Sequence, residues 1–108
     1  MKTSAVGRWR IIEMEGWDTD AVDLLGPAYF EFDRNGQGSF QFVAVEGWMD
    51  VRPADHGDPH VVEFSWEGQD ELDPASGRGW AVVGEDGALT GRIFFHLGDD
   101  STFRAVRA

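Results

Sequence analysis

What most constrains this chain is a rhythm. Apolar runs of strand length recur from end to end, many rich in Phe, Trp, Val and Ile, with turn chemistry in nearly every gap. The runs are Gly7–Met14, Ala28–Asp33, Ser39–Val45, Trp48–Arg52, His60–Glu67, Gly79–Val83, Leu89–Leu97 and Ser101–Val106. Their residue types suit a pleated, half-buried surface. The gaps Asp33-Arg34-Asn35-Gly36, Glu46-Gly47, Asp55-His56-Gly57-Asp58, Glu85-Asp86-Gly87 and Gly98-Asp99-Asp100 hold residues that tolerate positive φ. Connections this short make consecutive strands antiparallel neighbours and leave no room for a helical crossover.

Two connections are longer. In residues 17–27, Asp18 or Thr19 can cap a first helical turn, Val22 and Leu25 share a face, and Gly26-Pro27 stops the helix. Residues 68–78 read as an acidic loop carrying Asp70, Glu71 and Asp73.

Alternation within the runs supports a sheet with one wet face. Phe30 and Phe32 oppose Tyr29, Glu31 and Asp33; Val62, Phe64 and Trp66 oppose Glu63, Ser65 and Glu67. Eight hairpin-linked strands with one apolar face leave two costly edges unless the sheet closes. The expected fold is therefore all-β: an eight-stranded antiparallel up-and-down β-barrel, with one short helix after the first strand. A single domain is expected over residues 1–108.

Charge narrows the partners. With 20 Asp and Glu against nine Lys and Arg, the chain carries a net charge of -11. Phosphate polyanions bind through clustered Lys and Arg, so neither nucleic acid nor an anionic membrane is expected as a partner. Cysteine is absent, which removes disulfides, thiol catalysis and thiolate metal sites. With no apolar leader segment or long apolar run, a cytoplasmic location is expected. No sequence pattern calls for a cofactor.

Gly7-Arg8-Trp9 at the start of the first strand and Phe103-Arg104 in the last resemble the short signature of the calycin barrels, which include lipocalins, fatty-acid-binding proteins and avidins. The resemblance implies that Trp9 packs under an arginine of the last strand, with Trp9 and Arg104 as neighbours. Guanidinium-on-indole packing is favourable. Phe64-Ser65-Trp66-Glu67-Gly68 and Ile93-Phe94-Phe95-His96 also resemble a family of short bacterial proteins, a likeness that implies no activity.

Each polar cluster has a structural reading beside a chemical one. Asp70, Glu71 and Asp73 could ligate a cation or work as an acid–base pair with His96, but EF-hand spacing is missing and Arg78 can neutralise the loop. His56 and His60 are spaced as helical metal ligands, yet Gly57 and Pro59 forbid the helix that would align them. His96 near Asp99 and Asp100 suggests a hydrolytic triad, but no nucleophile elbow accompanies it.

Five tryptophans and eight phenylalanines exceed what a small core needs. A small eight-stranded barrel is either filled by side chains or holds one small ligand. The leading expectation is a non-catalytic barrel binding a small apolar or aromatic ligand. Phe64, Trp66 and Trp80 would form its walls, and Arg92 or His96 would supply a polar handle. The first alternative is an acidic module that binds a basic protein or itself. Arg92, Phe94 and His96 share a face, and if that face is outside, Phe94 marks an interface, such as a homodimer's, rather than a pocket. The second alternative is an enzyme using the carboxylates of residues 70–73 with His96.

Overall fold

The computed structural model describes residues 4–53 and 60–108. Eight strands follow in order: β1 Gly7–Met14, β2 Tyr29–Phe32, β3 Gln37–Phe42, β4 Val45–Pro53, β5 Val61–Asp70, β6 Asp73–Val83, β7 Leu89–Phe95 and β8 Asp100–Arg107. Each pairs antiparallel with the next, and β8 pairs with β1 to close the barrel. The one helix among the described residues, α1 (Thr19–Val22), follows β1 and buries Val22, while Leu25 lies exposed rather than sharing that buried face. Fold class and strand order are as the sequence implies. The expected turn at residues 55–58 falls outside the described residues, as does all of the metal candidate at residues 55–60 except His60.

Several strand bounds differ from expectation, β7 ending at Phe95 rather than Leu97 among them, and two of the differences change a connection. Glu46-Gly47 is not a turn; the chain reverses at Val43-Ala44, and Glu46 and Gly47 are strand residues opposite Gln41 and Phe40. Residues 68–78 are not a loop: β5 and β6 pair as far as Asp70↔Asp73 and turn through Glu71 and Leu72, both at positive φ (51° and 76°). That geometry normally selects Asn or Gly, so nothing in Glu-Leu announces it.

Inside, large side chains face small ones around the wall. Phe32 lies opposite Gly38, Phe40 opposite Gly47, Phe64 opposite Gly79, Trp66 opposite Gly77 and Phe103 opposite Gly91. A Cβ at Gly47 would come within 3.0 Å of three ring atoms of Phe40, and one at Gly79 within 3.0 Å of two ring atoms of Phe64. Gly47 and Gly79 are thus seats for rings, the close approach that glycine in a strand marks. The seated rings meet along the axis. Phe30 lies 4.4 Å from Phe103, 5.3 Å from Phe40 and 6.1 Å from Phe64 between ring centroids, and Phe40 lies 5.1 Å from Trp66. Burying a side chain of this size stabilises the fold by roughly 1.5–3 kcal/mol.

β1 keeps its inward face through a bulge. The register against β8 shifts between Ile11 and Glu13, leaving Ile12 40% exposed and turning Met14 back into the core. At the lower end, where β1 begins and β8 finishes, Trp9 is fully buried and its Nε1 donates to the Ala5 carbonyl at 2.9 Å.

The arginine over Trp9 is Arg107, whose Cζ lies 3.9 Å from the ring centroid, and not Arg104. Period-two alternation explains the correction. Phe103 and Ala105 point inward and Arg107 continues their side, whereas Arg104 points out and pairs with Asp86 at 3.1 Å. Arg107 also donates to the Val6 and Ser4 carbonyls, both at 2.6 Å, which ties the chain before β1 across the barrel floor.

The upper end carries the connections after β1, β3, β5 and β7. Trp17 half-closes it, with ring centroids 5.5 Å from Phe42 and 6.4 Å from Phe95. Asp23, just after α1, takes a two-pronged contact from Arg10 (2.7 and 2.5 Å) and accepts the Ala28 N–H at 3.0 Å. The Arg10 hydrogen bonds, then the Ala28 N–H, hold its carboxyl down at about 2.

Candidate binding surface

The five residues expected to form a ligand pocket do not converge. Phe64 and Trp66, each 4% exposed, belong to the interior ring stack. The Trp66 indole N–H is already used, donating to the Phe94 carbonyl at 3.2 Å. Trp80 and Arg92 are directly opposed across β6 and β7 but point outward, and Arg92 is ion-paired with Asp100. His96 is exposed in the turn after β7, where its backbone N–H bonds to the Ser76 carbonyl at 2.8 Å. Two of the five thus pack the interior and three face solvent.

Phe94 does lie on the outer face, half-buried, with the Arg78 guanidinium 5.2 Å from its ring centroid. The carboxylates of residues 70–73 crown the β5–β6 hairpin, while His96 meets β6 three residues further down, at Ser76. Among the described residues, no group of three or more His, Asp and Glu is arranged to hold a metal ion.

The feature that sequence reading missed is Trp48. Val45, Gly47 and Met49 point inward, which turns Trp48 out beside Glu46 and Asp50 and leaves it 58% exposed. Its cross-strand neighbours are Ser39 and Glu67. The signal was present in the sequence: an indole flanked at two-residue spacing by carboxylates has the parity of a wet face.

From Trp48, shallow depressions run across the outer sheet over small residues. One of about 570 Å³ is lined by Gln37, Trp48, Asp50, Ser65, Glu67 and Ser76. A second of about 550 Å³ shares Trp48, Glu67 and Ser76 and reaches Pro74, Ala75 and His96. A third, about 470 Å³, continues from Ser76 past Arg78 and Phe94 to Leu97.

Ser65, Gly68, Ala75 and Ser76 make most of the floor, with Glu67 standing on it between Trp48 on one wall and Phe94 with His96 on the other. The charge around it is mainly negative. Glu46 accepts from Gln69 at 3.1 Å, Asp50 faces Arg52 at 3.5 Å, and Glu63 and Glu67 are exposed. An aromatic wall, a shallow floor with a carboxylate standing on it and further carboxylates around it can take an extended cationic chain.

Fold and surface together define a filled, acidic, closed β-barrel with an aromatic groove on its outside. No family model, curated protein or solved structure matches the chain. No helix among the described residues is long and apolar enough to cross a membrane.

Proposed function

We propose that this protein is a non-catalytic binding module that docks a basic, extended segment of a partner protein in the outer groove over β4–β6. One contrast carries the reading. The barrel axis is occupied by the chain's own rings, while Trp48 stands 58% exposed among carboxylates. Tryptophan is among the residue types enriched at the anchoring positions of interfaces. The net charge of -11 favours a cationic partner over a second copy of the same chain. The expected small apolar ligand is the weaker reading, because the space it needs holds Phe30, Phe40, Phe64 and Phe103.

Kinship with the calycin barrels belongs to the same proposal, supported by Trp9 sealed beneath an arginine of β8. So does a cytoplasmic setting, which a chain without cysteine suits.

The test is a fluorescence titration with a short Lys/Arg-rich peptide bearing one Phe, beside a panel of apolar dyes. Saturable peptide binding is expected, weakened by about 0.5 M salt and by about tenfold in Trp48→Ala, which corresponds to ~1.4 kcal/mol. Saturable one-to-one dye binding that survives Trp48→Ala would instead place the ligand inside the barrel and sink this reading.

A further inference from the structure

The upper end of the barrel presents leucines where a soluble fold has no use for them. Leu97 is 96% exposed, Leu72 83%, Leu24 61% and Leu25 53%. Leu72 and Leu97 are also held at positive φ, 76° and 58°, a conformation for which Gly, Asn and Asp are the ordinary choices. All four lie in connections at the same rim. The three connections that carry them, after β1, β5 and β7, are linked through the β3–β4 turn or share packing beneath it. The Val43 N–H donates to the Val22 carbonyl at 2.8 Å, and the Glu71 N–H to the Ala44 carbonyl at 3.2 Å. The turn after β7 joins through Phe95, whose ring packs against Trp17 and Phe42.

The charge of this rim is mainly negative, although Arg10 and Arg92 reach in to pair with Asp23 and Asp100. Residues 15–28, 43–44, 70–73 and 96–100 contain nine of the chain's 20 Asp and Glu and none of its nine Lys and Arg. Exposed leucines flanked along the chain by carboxylates fit an apolar surface edged with cations, and they disfavour the anionic face of a membrane.

We infer that the upper rim is a second docking surface, which receives a basic amphipathic helix of a protein partner. The apolar stripe of the helix lies on Leu24, Leu25, Leu72 and Leu97, and its flanking Lys and Arg reach the rim carboxylates. The inference rests on the protein-binding reading above and adds a location and a partner chemistry to it. The third groove depression ends at Leu97, so one partner can cover both surfaces.

The experiment titrates the whole protein with an amphipathic Leu/Lys helical peptide and with a scrambled peptide of the same composition, by calorimetry. A Leu72→Asn/Leu97→Asn double variant is the main probe, since Asn accepts positive φ and the fold is retained. Its thermal midpoint is expected at or above that of the parent protein. Binding of the amphipathic peptide is expected to fall by about tenfold in the double variant, to persist in Trp48→Ala, and to exceed that of the scrambled peptide.

Binding that is unchanged in the double variant but lost in Trp48→Ala would overturn the rim site and leave the groove standing. Equal binding of both peptides, indifferent to every substitution, would reduce both proposals to bare charge attraction. Leucine-dependent binding to vesicles of neutral phosphatidylcholine, without peptide binding, would assign the rim to a lipid surface instead.

Discussion

At the scale of single residues, the interior is a set of ring-and-glycine pairs. A methyl group added at Gly47 runs into the tip of the Phe40 ring, and Phe40 is itself held against Phe30 and Trp66. Gly47→Ala is therefore expected to destabilise the barrel by about 1–3 kcal/mol through overpacking, measurable by urea unfolding. Gly87→Ala serves as the contrast: space there is open and the cost comes only from its φ of 82°. A loss at Gly47 no larger than that at Gly87 would mean that the rings are free to shift.

The same residues explain what was legible. Gly47 read as a turn because glycine has two uses, and a single sequence does not say whether it frees the backbone or clears space for a ring. Phe30, Phe32, Phe64 and Trp66 were legible as inward residues, because alternation with charged neighbours depends only on parity. The same parity places Arg107, not Arg104, with Phe103 and Ala105, whereas the calycin-like dipeptide Phe103-Arg104 points to Arg104.

Among elements, the β5–β6 hairpin was the least legible. Its Pro74-Ala75-Ser76-Gly77 stretch has weak strand propensity, and its Glu71-Leu72 turn has no turn chemistry. Neighbouring β4 and β7 impose the pairing, a tertiary effect that no local pattern reports. The candidate surface was lost with it, since the groove floor is made of the residues assigned to a loop.

The link from β1 to α1 titrates. Asp23 has its carboxyl lowered from 3.8 to about 2 by Arg10 and the Ala28 N–H. A lowered folded-state value means that this stabilisation is fully present above pH ~4. It is lost as pH falls towards 2. Asp23→Asn is expected to cost about 1 kcal/mol at pH 7, discounted for solvent screening of a pair at 35% and 29% exposure. The gap between parent and variant should close between pH 4 and 2 in thermal melts, and a gap that widened on acidification would contradict the assignment.

For the molecule as a whole, closure of the sheet was the most legible feature and the location of binding the least. Short turns and one apolar face force a barrel, because an open sheet of eight strands would leave two unpaired edges. Whether such a barrel is hollow depends on volumes, and those follow from which glycine faces which ring. Five tryptophans suggested a pocket; three of them, Trp9, Trp17 and Trp66, fill or close the barrel, and Trp48 and Trp80 look outward.

The seam beneath Arg107 bears on how the molecule can be handled. Arg107 grips the carbonyls of Ser4 and Val6, and the Ala108 N–H reaches the Arg8 carbonyl at 3.0 Å, so the beginning of β1 and the finish of β8 share the rim away from the leucines. A short glycine linker can bridge them, with the backbone reopened at Asn35-Gly36. This circular permutant should melt within a few degrees of the parent. An anchor attached at the same seam would hold the protein to a bead or chip with its leucine crown turned to the solution.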